Sequence, residues 1–424
     1  MNIFVEIIIW IAYILSLYFS VFFLLVYLDK KKILDHEKST TLLRSTPFVS
    51  ILVPAYNEQE TIERTLESLN NLKYPKDRME VIVVNDGSSD RTEEIVEEYR
   101  KDKPHFRVIS QKNKGKAAAL NRALGVARGE YFACLDADSF VEPETLRKML
   151  AIYEKENDQK LAIVTPAMKV DAPKTILQKV QWLEYIIIIF MARLTSHLDS
   201  LYVAPGPFSL YQTKIIKNLG GFDESNITED QEIAYRVQQH NYKIRQCFDG
   251  YVYTTAPREF KPFYHQRRRW YLGSLICLHK YKKMIANRKY GDFGIYQLIK
   301  NVLGFFLAIT GITLAFYFIF IPLLEWMRQM AVVHFNIWPY LSNFTLKIGM
   351  IDVLLADFKK GLIITFLFMF SLLFFYLAHR NARERIHKFG WIPLLPYFLY
   401  YYLLKGVILL FSLCQFSRRR KIKW

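Results

Sequence analysis

Residues 3–28 form an apolar run that includes Trp10 and several other aromatics, and further apolar runs follow at 295–324, 361–378 and 391–414. About 20 apolar residues cross the hydrocarbon core of a bilayer as a helix, so a chain with such runs at both ends is not a wholly soluble body. Apolar residues reach 52% and aromatics 16%, yet 23% of the chain is charged. That mixture fits one sizeable soluble domain joined to membrane helices. No basic stretch precedes the first run, no small-residue cleavage site ends it, and Lys30, Lys31 and Lys32 follow it directly. It therefore reads as a transmembrane anchor over 1–30 rather than a signal peptide, with its N-terminus outside and the next segment in the cytosol.

The net charge of +17 raises the question of nucleic acid, but the basic residues sit beside apolar runs, at 30–32, 380–388 and 418–423. That placement fits the positive-inside rule and an anionic inner leaflet, so the expected partner is a lipid bilayer and not nucleic acid. The C-terminal membrane region is expected over 290–416, with a basic tail at 417–424. If 295–324 leaves the cytosol, 361–378 returns to the basic loop. A further full crossing by 391–414 would put Arg418, Arg419 and Arg420 outside, against the charge rule. Pro393 and Pro396 allow a re-entrant or interfacial segment instead, with a cytosolic C-terminus, and 331–355 could hold another crossing. Cys134, Cys247, Cys277 and Cys414 are scattered without CxxC or zinc spacing, as in a reducing cytosolic domain.

Between the membrane runs the period changes. Apolar, β-branched segments at 49–53, 79–84, 106–109, 131–135 and 161–164 alternate with helical patterns at 61–71, 91–100, 116–127 and 143–156. The expected fold is α/β, a mainly parallel sheet covered on both faces, within a cytosolic domain over 45–285. Open α/β sheets bind ligands at the C-terminal ends of their strands, where Asn57, Asp86 and Asp136 fall. Two helical segments, about 174–198 and 259–282, are too polar for clean spans and read as interfacial helices. For the first, an amphipathic helix in the membrane interface fits better than the alternative of a buried helix under the domain.

Asp136-Ala137-Asp138 places two carboxylates just after a buried strand, a donor set that suits Mg2+ or Mn2+ bridging a diphosphate. The plain alternative is a loop with two solvated acids. Lys116 opens a helix after Gly115, where the helix N-terminus and a lysine favour phosphate; it could also be one surface lysine among many. Asp90 is expected to cap the helix that follows it. Thr228-Glu229-Asp230-Gln231 has the spacing of a capping box, and the helix dipole would keep Asp230 ionised. Gln266, Arg269 and Trp270 share one helix face, presenting an amide, a guanidinium for phosphate and an indole plane for a sugar. Arg267 and Arg268 point elsewhere, free to meet lipid headgroups.

Taken in order, the NDGSSD loop with Asp86, the DAD, the TED and Gln266-Arg267-Arg268-Arg269-Trp270 resemble the membrane-embedded processive family 2 glycosyltransferases. These include synthases of poly-N-acetylglucosamine, hyaluronan, chitin and cellulose. The resemblance runs from about Val49 to Gly273. It implies a GT-A-like nucleotide-sugar-binding domain in which Tyr56 and Glu58 border the nucleotide and Asp86 contacts uracil. Lys116 and Asp136 would serve the diphosphate and Asp138 the metal, with Asp230 the base and Glu229 its support. The implied reaction is inverting, metal-dependent transfer from a UDP-sugar to a growing polysaccharide at the cell membrane, an accessory membrane subunit being a further possible partner. An N-acetylglucosamine polymer or a hyaluronan-like product leads. The alternative is transfer of one sugar to a lipid-linked acceptor. An inert scaffold is disfavoured by the intact Asp86, Asp138, Asp230 and Trp270. Two stretches depart from the family pattern: Pro205-Gly206-Pro207 replaces a Cys-Gly or Ser-Gly loop, and Tyr271-Leu272-Gly273 replaces Ala-Gln-Gly. They bear on the product rather than the reaction class.

Overall fold

The computed structural model describes residues 3–36, 40–336, 338 and 358–418. Its centre is an eight-stranded sheet in the order β3-β2-β1-β4-β7-β6-β8-β5. Strands β1 (Val49–Ala55), β2 (Met79–Asn85), β3 (Phe106–Ser110) and β4 (Tyr131–Cys134) are mutually parallel. The chain steps outward from β1 to β3 and then returns to the other side of β1 for β4. This reversal of strand order opens a crevice above the C-terminal ends of β1 and β4. Beyond it, β7 (Leu210–Gln212) runs antiparallel between β4 and β6 (Leu161–Val170). Strand β8 (Lys243–Thr254) is parallel to β6, and β5 (Ser139–Val141) closes the edge antiparallel to β8.

Period-two alternation makes the two faces. Ile51, Val53, Val81 and Val83 face one core with α2 (Ile62–Asn70), α3 (Thr92–Arg100) and α5 (Thr145–Glu156). Leu52, Ile82 and Val84 face another with α4 (Lys116–Val126), α7 (Thr213–Asn218) and α8 (Glu229–Gln239). Both cores are built from fully buried β-branched and leucine side chains, which is why the strands read as near-continuous apolar runs.

A third core joins the domain to the apolar helices. It gathers α1 (Ile3–His36), α6 (Ile176–Ser196), α9 (Phe260–Lys280), α11 (Phe358–Ala382) and α12 (Leu394–Ser417). Helix α6 begins with a formed capping box between Thr175 and Gln178 and is enclosed along most of its length. Gln178 and Gln181 donate to the carbonyls of Ala256 and Pro257, and Arg193 donates to the Leu34 carbonyl and to Asn381. Of the two readings that the sequence leaves for this segment, the buried helix describes its surroundings. Gln178, Gln181 and Arg193 thus have partners inside the protein.

Among the described residues four helices are long and apolar enough to cross a membrane: α1, α10 (Phe293–Val332), α11 and α12. The α1 run carries one carboxylate, Glu6, which pairs with Lys360 at 3.1 Å; at the other end Arg380 lies 3.8 Å from Asp35. These contacts pair α1 and α11 antiparallel, end to end. Helix α10 spans 40 residues, about 60 Å at 1.5 Å per residue, which exceeds a bilayer core of about 30 Å. Its first turn is buried against the domain, where Phe293 and Leu298 pack with Tyr235 and Cys277. Helix α12 keeps beside α9: Tyr401 meets Phe263 and Arg267, and Phe416 meets His279. The two therefore run alongside each other in the same direction. The further crossing that 331–355 could hold lies, from 339 on, outside the described residues, as does the basic tail from 419.

Candidate active site

The loops after β1 and β2 are zipped together. The Asn57 amide donates to Ser88 Oγ at 3.0 Å, Asn57 Oδ1 accepts from the Ser89 amide at 2.8 Å, and the Glu58 amide donates to Thr92 Oγ1 at 2.8 Å. Asp90 accepts the Thr92 amide at 3.0 Å and so bonds the first amide of α3 from one residue before the cap position, which Arg91 occupies. Tyr56 is exposed at the rim. Glu58 Oε2 accepts from Thr61 Oγ1 at 2.6 Å. Burial raises the Glu58 pKa; the Thr61 bond opposes this, and the charges of Asp138, Asp136 and Asp90 add to the rise. Glu58 thus shares an electrostatic environment with the DAD carboxylates.

Asp86 is buried, and its carboxylate accepts from Gln111 Nε2 at 2.7 Å and from the amides of Lys114 and Gly115 at 3.0 and 2.8 Å. It latches the 111–115 loop and so fixes where α4 begins. The motif alone did not reveal this function. The first residue of α4 is Lys116, whose Nζ lies 2.6 Å from Asp136 Oδ1 and 2.9 Å from Glu229 Oε1. Burial pulls this ammonium down, but Asp136, Glu229 and Asp230 together outweigh burial and raise it. One lysine therefore joins the DAD to the TED, which the sequence separates by about ninety residues.

The Pro205–Ser209 loop lies over that junction. The Phe208 amide donates to the Cys134 carbonyl and the Cys134 amide to the Ser209 carbonyl, which ties the loop to β4. A Cβ on Gly206 would stand 2.7 Å from Lys116 Nζ and 3.3 Å from Asp136 Oδ2. The glycine leaves a cradle directly above the carboxylate.

Asp138 accepts from Ser139 Oγ at 2.9 Å, and its pKa is raised by burial and by the Asp136 charge. Asp136 Oδ1 is buried and lies against the Lys116 ammonium. Among the described residues no three His, Cys, Asp or Glu side chains converge as a metal cage. The set nonetheless fits Mg2+ or Mn2+, which take one or two carboxylates and complete their shell with water and substrate phosphates. The two carboxylates just after the strand and the Gly206 cradle beside Asp136 Oδ2 are the features that suit such an ion.

Asp230 accepts from the Gln231 amide at 2.8 Å. Its pKa is raised to about 6, by burial first and then by the Glu229 charge, with Lys116 and Arg269 pulling the other way. Burial outweighs any helix-dipole stabilisation, so the group titrates just below neutrality instead of near the usual aspartate value. Glu229 is also buried, but Lys116 and Arg269 overcome that and hold its pKa low. Two adjacent carboxylates thus have separated affinities for a proton, a pattern that marks a base beside a permanent anion. The capping box is not formed. Thr228 makes no side-chain cap bond and donates to Asn226 Oδ1, while Gln231 Oε1 accepts from Ser274 Oγ of α9.

Helix α9 carries exposed Arg269 and half-buried Gln266 and Trp270. The expectation that Arg267 turns away towards lipid is overturned. Arg267 is 1% exposed and donates to Glu184 of α6, with its guanidinium 4.0 Å from the Trp270 ring centre. Removing one partner from such a buried pair costs about 3–5 kcal/mol. Sequence spacing could not place Arg267 inside, because its partner lies on another helix. Gly273 is equally constrained: a Cβ there would fall 2.1 Å from Thr228 Oγ1 and 2.8 Å from Thr228 Cβ. Gly273→Ala should therefore push the start of α8 away, carrying Asp230 with it. An active-site shift on the order of 1 Å costs about 10²-fold, so kcat should fall by up to that factor with UDP affinity retained. A Gly273→Ala enzyme of wild-type kcat would show that the α8–α9 contact yields without moving Asp230.

Comparisons with known proteins bear on the fold and the family. Residues 50–220 match the model of "Glycosyl transferase family 2". A probable glycosyltransferase, YdaM, of Bacillus subtilis (strain 168) is 32% identical over 279 residues, 64% of this chain and 66% of its own. A poly-beta-1,6-N-acetyl-D-glucosamine synthase of Staphylococcus epidermidis is 32% identical over 57% of this chain and 58% of its own. The matches thus take in less than two thirds of these relatives' own lengths, 66% and 58%. Among solved structures, a mannosyltransferase from Pyrobaculum calidifontis in complex with GDP-Man and Mn2+ aligns at TM-score 0.56. It has 20% identity over 78% of this chain and 93% of its own, which makes it a likeness of fold. The sheet with its strand-end crevice is GT-A-like, and residues 50–220, which match the glycosyl transferase family 2 model, are set against helices long enough to cross a membrane.

Proposed function

We propose that this protein is a membrane-embedded, inverting transferase that moves a sugar from a UDP-sugar to a growing polysaccharide. The observation that carries the reading is the Lys116 bridge, which brings the DAD and TED carboxylates into one site with Asp230 beside them. Tyr56, Glu58 and Asp86 border the nucleotide, while Lys116 and Asp136 serve the diphosphate. Asp138, with Asp136 beside it, would hold Mg2+ or Mn2+, which supplies Lewis-acid stabilisation of charge on the departing diphosphate. Asp230 takes the proton of the acceptor hydroxyl as that oxygen forms its bond to the anomeric carbon. The bond from that carbon to the diphosphate oxygen breaks in the same displacement, so an α-linked donor gives a β-linked product. Arg269 and Gln266 face the phosphates, and Trp270 supports the acceptor terminus.

The relatives' names favour an N-acetylglucosamine polymer as product. In the cell membrane the domain would lie on the cytosolic side, with α1, α10 and α11 crossing. Helix α12, held alongside α9, would follow the interface and keep Arg418 with the domain.

The test is to give inverted membrane vesicles a panel of UDP-sugars, UDP-N-acetylglucosamine among them, with Mn2+ or Mg2+, and to size the product. High-mass material from inverted but not right-side-out vesicles is expected. A single added sugar on a lipid carrier would replace the polymer reading with single transfer, and no transfer from any UDP-sugar would overturn both.

A further inference from the structure

Helix α12 reaches the acceptor side of the site through one buried carboxylate. Glu184 of α6 lies where α6, α9 and α12 meet. Its Oε1 accepts from Lys405 Nζ at 2.6 Å, and its Oε2 accepts from the Tyr401 hydroxyl and from Arg267, each at 2.5 Å. Arg267 also donates to the Tyr401 oxygen at 3.2 Å. The guanidinium so fixed faces the Trp270 indole, an arrangement in which cation and ring attract each other. Arg267 and Trp270 are three residues apart on α9, so the cation holds one face of the ring and leaves the remainder to the site.

Lys405 has a second neighbourhood. It lines a cavity of about 490 Å3 between α1, α9, α10 and α12, together with Tyr202, Tyr271, Lys300 and Tyr402. The same residue therefore lines the cavity and bonds the carboxylate that fixes Arg267. A buried ion cluster is a poor way to add stability, because desolvation offsets most of the attraction. Its use in fixing one arrangement is better attested, and here the arrangement fixed is that of Trp270.

We propose that Lys405 and Tyr401 are positioning residues for the acceptor platform: through Glu184 they hold Arg267 against Trp270. The C-terminal helix thereby sets where the acceptor end rests. This rests on the reading of Trp270 as the acceptor platform, so the test separates the two.

The full chain in lipid nanodiscs, supplied with UDP-N-acetylglucosamine, is assayed for UDP affinity, rate of UDP release and mean product length. Tyr401→Phe removes only a hydroxyl, Lys405→Met removes the charge, and Lys405→Arg restores it; each is made alone and with Trp270→Ala. Tyr401→Phe and Lys405→Met should shorten the product by about tenfold, within the coupling range of contacting residues, with UDP affinity and UDP release unchanged. Lys405→Arg should recover most of the length. In the Trp270→Ala background neither should shorten it further. Unchanged length in both variants, additive losses with Trp270→Ala, or loss of UDP affinity in both would overturn the coupling while leaving the platform reading intact. If Trp270→Ala alone leaves product length unchanged, the platform reading itself falls, and the coupling with it.

Discussion

Asp230→Asn is expected to slow transfer by about 10²–10⁴-fold, the usual contribution of a positioned general base, while UDP-sugar affinity stays within a few-fold. The two side chains are nearly the same size, and the Gln231 amide that bonds Asp230 Oδ1 finds an oxygen in either. What disappears is the capacity to accept a proton. The pH profile supplies an independent check. The pKa of Asp230 is raised to about 6, so the carboxylate is protonated and idle below that value and ionised above it. In the wild type kcat/KM should rise about tenfold per pH unit on the acid side and level off above pH about 6. The residual activity of Asp230→Asn should lack that limb. If nucleotide affinity collapses instead, Asp230 is a structural member of the α8 N-terminus and another group must act as base.

Asp138→Asn is expected to abolish measurable transfer in a protein that still inserts in the membrane. The pKa of Asp138 is raised by burial and by the Asp136 charge. Two carboxylates this close repel each other and are best relieved by a divalent cation. Asparagine offers one neutral oxygen in place of an anionic one and removes the charge that draws the ion. EDTA should reproduce the loss in the wild type, and excess Mg2+ or Mn2+ should reverse it. In Asp138→Asn the same excess should restore little. Full wild-type activity in chelator would remove the metal from the reaction and leave Lys116 and Arg269 to meet the diphosphate charge.

Residues whose chemistry depends on near neighbours in the chain were legible. The sheet strands of the parallel half appear at 49–55, 79–85, 106–110 and 131–134, close to the alternating apolar segments of the sequence. Apolar runs with turns after them are a local code, read without knowing what packs where. The short antiparallel strands β5 and β7 were not visible. Three residues cannot show a period, and their pairing depends on a sheet edge formed by segments far away in the chain. Asp86 illustrates the same divide: its motif marked it as fixed at a strand end, but only the fold shows it clamping the 111–115 loop.

The sequence by itself determined that this chain is an α/β domain held between apolar helices, because bilayer length, strand alternation and the spacing of DAD, TED and QxxRW are properties of short stretches. Tertiary structure decided what those motifs do to one another. Burial lifts Asp230 toward neutrality while Lys116 and Arg269 keep Glu229 ionised, although the two carboxylates are adjacent in sequence. Arg267, which spacing alone pointed toward lipid, is drawn inward by Glu184 and Tyr401. The reason is physical: desolvation and Coulomb attraction depend on what surrounds a charge in space, and those surroundings come from helices as much as 221 residues apart in the chain.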